Sequence, residues 1–191
     1  MAQVNIPSEA FTMSIHYKDL SADVRREMLE ELQFDIDKGT LNLSKRFTTE
    51  GEVAWPSLFR DAIQNYSDEW LAQQIRGNHY MKAFETRMYK NGPKEAAVPI
   101  TAADTFSEGE FNRFYIRGLC KYAMSLGEAD VKVYRGKAVE NPRVESEQKI
   151  GKFYNVEKLL ADLRTTPGVD TVLGLPNGPN SGLSVQRVIT E

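Results

Sequence analysis

A chain of 191 residues with 41% apolar and 27% charged side chains is long enough to bury one sizeable core and has an ordinary globular composition, which excludes wholesale disorder. Its apolar runs are only a few residues long, which excludes a membrane-spanning helix, and MAQVNIPSEAF lacks the basic start and apolar stretch of a secretory signal, so an intracellular setting is expected. Lys and Arg number 24 against 27 Asp and Glu, a net charge of -3 that argues against a generally basic nucleic-acid coat but leaves room for a local patch. A single cysteine, Cys120, excludes an internal disulfide, and His16 and His79 lie far apart without cysteine nearby, so neither a metal nor a cofactor is expected.

In chain order, Ile6, Phe11, Met13 and Ile15 alternate as in a short strand or arm. SADVRREMLEELQFDI predicts a helix over roughly 22–37, with Ser21 as N-cap, Asp23 in the first turn and Val24, Met28, Leu29 and Leu32 on one stripe. TLNLSKRFTTEGE reads as a loop, and Pro56 suits the first turn of a helix through SLFRDAIQNY. Ser67 caps DEWLAQQIRG, and HYMKAFETRMYKNG continues helically through Met81, Phe84 and Met88 until Gly92-Pro93. Trp55, Phe59, Tyr66, Trp70, Phe84 and Tyr89 fall at helical spacings that read as core, or as an interface where exposed.

GPKEAAVPITAAD, bounded by Pro93 and Pro99, is the best boundary or hinge. Ser107 and Glu110 then form a capping-box pattern opening a helix, with Phe111, Phe114, Tyr115, Leu119, Tyr122, Ala123 and Leu126 on its apolar side. Gly118 inside that helix costs about 1 kcal/mol relative to Ala unless something packs closely on it, which predicts a tight crossing. VKVYRGKAV reads as a strand, Asn155 caps a helix through VEKLLADLR that Pro167-Gly168 ends, and VDTVLGL and LSVQRVI read as two strands joined by PNGPNSG. The expectation is an α+β fold: a helical N-terminal half, then helix, strand, helix, strand, strand with a small mixed or antiparallel sheet. One domain over 1–191 is expected, with an optional subdivision into a helical region 1–98 and an α+β region 99–191.

Arg113, Arg117 and Lys121 lie at i, i+4 and i+8 on one helix face, and Lys132, Arg135, Lys137 and Arg143 follow. Such a stripe can meet phosphates or a protein partner, with Tyr134 beside Arg135 free to stack; the plainer reading is the solvated side of an amphipathic helix. Glu108 with Glu110 and Glu145 with Glu147 are close carboxylate pairs, but helix capping accounts for the first and spacing alone defines no metal or acid–base site. GLPNGPNSG lacks the Gly-Lys-Ser/Thr ending of a phosphate loop, although Asn177, Asn180 and Ser181 can offer hydrogen bonds to a partner. Cys120 has no evident base and reads as a small core hydrophobe.

SEGEFNRFYIRGLC, VKVYRGKAVENPRVESEQKIG and GPNSGLSV resemble, in this order, an uncharacterised protein group carried by tailed bacteriophages and prophages. The resemblance covers about the second half of the chain and implies a setting, the phage particle or phage–host interaction, without implying an activity; the expected location is the host cytoplasm or the virion. VYRG and Glu145-Ser146-Glu147 are also similar to pieces of ADP-ribosyltransferase sites, but Arg135 and Glu145 stand too close in sequence to assemble one. The expected function is therefore a structural or interaction protein, a virion or assembly component contacting itself or another particle protein and no membrane. Its expected contact residues are Arg113, Arg117, Lys121, Tyr134 and Arg135, with Asn177, Asn180 and Ser181 as a second surface. The alternatives are a nucleic-acid-binding protein using the stripe over 113–143, and an enzyme combining Glu145 and Glu147 with Arg113 or Arg135.

Overall fold

The computed structural model describes residues 14–166, 171–176 and 181–188. Helix α1 (Ala22–Lys38) forms as its caps predict: Ser21 Oγ accepts from the Val24 amide, and Gly39, at φ 66°, ends the helix in a left-handed conformation that glycine adopts without strain. Helix α2 (Thr49–Asn65) begins earlier than expected because Thr48 caps it, its Oγ1 accepting from the Gly51 amide at 3.1 Å, so Pro56 lies inside the helix rather than in its first turn. Helix α3 (Asp68–Gly77) follows Ser67 as expected, although the serine side chain makes no capping bond.

The next segment departs from the helical expectation. Residues 84–97 form a hairpin, β1 (Phe84–Tyr89) antiparallel to β2 (Gly92–Ala97), with Gly92 at φ 99° closing its turn. Phe84 and Met88 are four residues apart, a spacing that satisfies both the helical period and twice the strand period. The glycine read as a helix stop is a turn residue, and the first six residues of the expected hinge form β2 itself.

Helix α4 (Ala102–Ser125) starts ahead of the expected capping box, so Ser107 and Glu110 are interior, buried positions. Strand β3 (Asp130–Arg135) is central in a three-stranded antiparallel sheet, flanked by β4 (Phe153–Asn155) and β5 (Leu183–Arg187). A single turn, α5 (Val144–Glu147), lies between β3 and β4, and α6 (Val156–Thr165) follows β4 with Asn155 Oδ1 accepting from the Lys158 amide. Of the two C-terminal strands expected, the second forms; the described part of the first, residues 171–175, makes turns pinned by Asp162, whose carboxylate accepts from the Val172 and Leu173 amides. The fold is α+β, and both sheets are antiparallel.

Helix α4 is the central element, packed by α1, α3 and α6 and by β5. Its Phe111, Phe114, Tyr115, Leu119 and Cys120 are fully buried in a core that also takes Val24, Met28 and Leu32 from α1, Trp55 and Phe59 from α2 and Val133 and Val185 from the sheet. Phe59 stacks on Trp55 at 4.7 Å and meets the Phe114 edge at 4.9 Å, so Trp55 and Phe59 are core, whereas Tyr66, Phe84 and Tyr89, read with them, are exposed. Ile15 is buried, and Tyr17 lies against Phe111 and Tyr115; Ile6, Phe11 and Met13 fall outside the described residues. Among the described residues no helix is long and apolar enough to cross a membrane.

The tight crossing expected at Gly118 is where α1 meets α4. A Cβ at Gly118 would stand 2.6 Å from Met28 Cγ and 2.9 Å from the Val24 carbonyl oxygen, closer than such atoms can approach. Gly118→Ala is therefore expected to destabilise the protein by about 1–3 kcal/mol in denaturant unfolding, the overpacking outweighing the helix propensity that alanine gains.

Candidate functional site

Helix α4 turns its basic stripe inward. Arg117 has no exposed surface and its guanidinium bonds Glu31 Oε2 at 2.9 Å and both carboxylate oxygens of Asp35, at 2.6 and 2.8 Å. Arg113, also buried, donates to Glu110 at 3.3 Å and to the Leu163 carbonyl at 3.2 Å, and lies 3.6 Å from Asp35. Lys121, at the edge of the seam, reaches Glu27 at 3.0 Å and Glu30 at 2.5 Å. Arg164 of α6 closes the network on Glu31 at 2.5 Å. Arg113, Arg117 and Lys121 were expected on a contact surface; Arg113 and Arg117 instead hold α1, α4 and α6 together.

The signal missed in the sequence is the partner stripe. Glu27, Glu31 and Asp35 repeat at i, i+4 and i+8 on α1, so two complementary charged ridges meet along one crossing. Burial alone would raise the Glu31 carboxyl, but hydrogen bonds from Arg164 and Arg117 outweigh it and hold Glu31 below the ordinary carboxylate range. Burial also raises Glu110 and lowers Arg113, each partly offset by the other's charge.

The second group of expected contact residues is likewise engaged. The Tyr134 hydroxyl donates to the His16 carbonyl at 2.5 Å and fastens residues 14–18 to the sheet, with Lys18 over its ring at 4.5 Å. Arg135 bonds the Ser181 carbonyl at 2.8 Å and pairs with Glu147, while Ser181 Oγ donates to the Pro176 carbonyl. Asn177 and Asn180 lie outside the described residues. Glu147 and Arg135 do come together, as the enzymatic alternative requires, but Arg113 is bound in the separate seam between α1, α4 and α6.

Two features stand out instead. The hairpin presents Phe84 and Met88 outward at 56% and 78% exposure, and their cross-strand partners Ala97 and Pro93 share that exposed face. Its other face carries charge: Glu85 bonds Arg46 at 2.7 Å and Arg87 at 2.6 Å, and these bonds bring its carboxyl down to about 2. The outward face is mixed, with Thr86 and its partner Glu95 between the two apolar pairs, so the hairpin leaves large apolar side chains in solvent beside polar ones.

The other feature is a small acidic cleft between α3 and α4, lined by Ser14, Asp68, Glu69, Ala72, Asp104, Glu108 and Lys137, with a cavity of about 30 Å³. Asp104 pairs with Arg76, and Glu108 pairs with Lys137 at 2.6 Å. Asp68 is 3% exposed, and its Oδ1 has no hydrogen-bond partner. Burial, reinforced by the charge of Glu108, pushes the Asp68 carboxyl up to about 7. The Tyr17 hydroxyl nearby is also buried without a partner, and burial together with Asp68 and Glu108 raises it well above its ordinary value.

Comparison with known proteins finds no matching family model, no matching curated protein and no matching solved structure.

Two outcomes test these geometries. Arg117→Met takes from Asp35 both of its guanidinium bonds and leaves Glu31 to Arg164, and is expected to cost about 3–5 kcal/mol in denaturant unfolding. For Asp68 the folded protein holds a proton that the unfolded chain releases near pH 4, so its contribution to stability is complete below about pH 4 and is lost as pH rises to about 7. Asp68→Asn is expected to remove that decline and to leave the variant more stable than the parent at about pH 8, by on the order of 2 kcal/mol, as read from urea midpoints across the pH range.

Proposed function

We propose that this is a structural or interaction protein that works by self-association, with the β1–β2 hairpin as its contact arm. The observation that carries the reading is the exposed hairpin face: the pairs Phe84 with Ala97 and Met88 with Pro93 turn apolar groups to solvent on either side of Thr86 and Glu95, while Glu85 and Arg87 face the other way. A two-stranded ribbon is marginal on its own and gains stability when that face is covered. The base of this ribbon is fixed by the Phe47–Met81 bridge and by Lys82 donating to the Arg46 carbonyl, so the arm is presented by the body of the protein. Ile100, 89% exposed just beyond β2, extends the apolar surface.

The resemblance of the second half to tailed-phage proteins supplies the setting: a virion or assembly component whose partner is another copy or another particle protein. The nucleic-acid reading loses the helical part of its stripe, because Arg113 and Arg117 are buried against carboxylates and Lys121 is paired with Glu27 and Glu30.

Light scattering of the purified protein, at low and high salt and with or without mixed-sequence nucleic acid, tests the proposal. A discrete oligomer unaffected by salt is expected, and Phe84→Glu with Met88→Glu should reduce it to monomer without loss of helical circular dichroism. A parent protein that stays monomeric and binds nucleic acid only at low salt would overturn it.

A further inference from the structure

The hairpin has open edges as well as an exposed face. Among the described residues β1 pairs with β2 and with no other strand. Two bonds show which backbone groups lie on its outer edge. The Val98 amide donates to the Ala83 carbonyl at 2.9 Å, which turns the odd-numbered residues of β1 towards β2, and the Lys82 amide donates to the Arg46 carbonyl at 2.8 Å on the opposite side. By alternation the N–H and C=O groups of Phe84, Thr86 and Met88 point outwards. The segment around Arg46 covers this edge at Lys82, and the bond from the Phe47 amide to the Ser44 carbonyl then turns that segment away. An open edge of this kind is a template for another strand.

The residues of β1 define the strand that fits. Phe84, Glu85, Thr86, Arg87 and Met88 run apolar, acidic, threonine, basic, apolar, a pattern complementary to its own reverse. Antiparallel pairing of two copies about Thr86 sets Phe84 opposite Met88, Thr86 opposite Thr86 and Glu85 opposite Arg87, and it brings the outward backbone groups of both strands face to face. A centre at Glu85 or at Arg87 sets like charges opposite each other, and in-register parallel pairing does so at both positions. The outer edge of β2 lacks this fit. Pro93 has no N–H to donate, and antiparallel pairing that used all of its outward residues, 93, 95 and 97, would set Glu95 against Glu95.

Granted self-association through the hairpin, on which this inference rests, we propose that two copies of the chain join edge to edge through β1, antiparallel and in register about Thr86. The two hairpins become one four-stranded sheet, which supplies the further strands that a two-stranded ribbon needs for stability. The two-fold axis through Thr86 makes the contact self-complementary and closes the assembly as a dimer. On the exposed face each Phe84 lies between Ala97 of its own hairpin and Met88 of the second copy, so the apolar pairs of both hairpins merge into rows on either side of Thr86 and Glu95. On the other face the Glu85–Arg87 pair of each copy meets its mirror in charge.

Amide hydrogen exchange of the full-length protein, read by NMR, tests the register against an internal reference. The amides of Phe84, Thr86 and Met88 are expected to exchange about a hundredfold or more slowly than those of Glu95 and Ala97 on the β2 edge. Thr86→Pro removes the central outward donor, and because that amide takes no part in the hairpin, the variant is expected to keep its helical circular dichroism and to scatter light as a monomer. Should Thr86→Pro fail to fold, the exchange pattern of the parent decides. Glu85→Lys and Arg87→Glu should each weaken self-association by about tenfold, and an equimolar mixture of the two should recover it, since each basic residue of one then faces an acidic residue of the other. An oligomer in which Phe84, Thr86 and Met88 exchange as fast as Glu95 and Ala97, or one that survives a folded Thr86→Pro, overturns the edge pairing and leaves association through the hairpin face standing. A parent protein that is monomeric up to about 1 mM overturns both.

Discussion

The Arg117 guanidinium, wholly buried between Glu31 and Asp35, is the interaction around which this molecule is arranged. A charge in that position is tolerable only if its bonds are complete, and completing them fixes α1, α4 and α6 relative to one another to within a hydrogen-bond length. The close crossing at Gly118 is part of the same constraint, because a wider separation of α1 from α4 would pull the carboxylates out of reach. An apolar seam could slide by a turn at little cost; this one has a single register, in which Lys121 meets Glu27 and Arg113 meets Asp35.

Seen from this seam, the two surface features are complementary in kind. The hairpin leaves Phe84 and Met88 in solvent, whereas the cleft buries a carboxyl, Asp68, whose Oδ1 has no hydrogen-bond partner. Each is a local inconsistency within an otherwise consistent fold, and such departures are where function is to be sought. The hairpin lies apart from the basic stripe of α4, and of the charged residues singled out in the sequence the cleft takes Glu108 and Lys137.

How much was legible in the sequence follows from the range of the interactions involved. Ser21, Gly39 and Asn155 act on their own helix ends, and α1 and α6 fall where those residues place them. Gly118 was informative because a glycine inside a long helix needs a neighbour. The hairpin was misread because Phe84 and Met88 fit two periods, and the orientation of the basic stripe could not be known without pairing it to Glu27, Glu31 and Asp35 on a distant helix. The cleft was less accessible still, since Asp68 and Glu108 each read as an ordinary helix residue until α3 and α4 are packed together.

The distance between the two charged ridges along the chain also orders events during synthesis. Helix α1 leaves the ribosome with Glu27, Glu31 and Asp35 unpaired, and those carboxylates remain hydrated at little cost until the segment carrying Arg113 and Arg117 emerges. Docking α1 onto the nascent chain before then would bury charge without compensation. The N-terminal helix is thus held in waiting by its own solvation, and the second half of the chain acts as the template on which the first half settles.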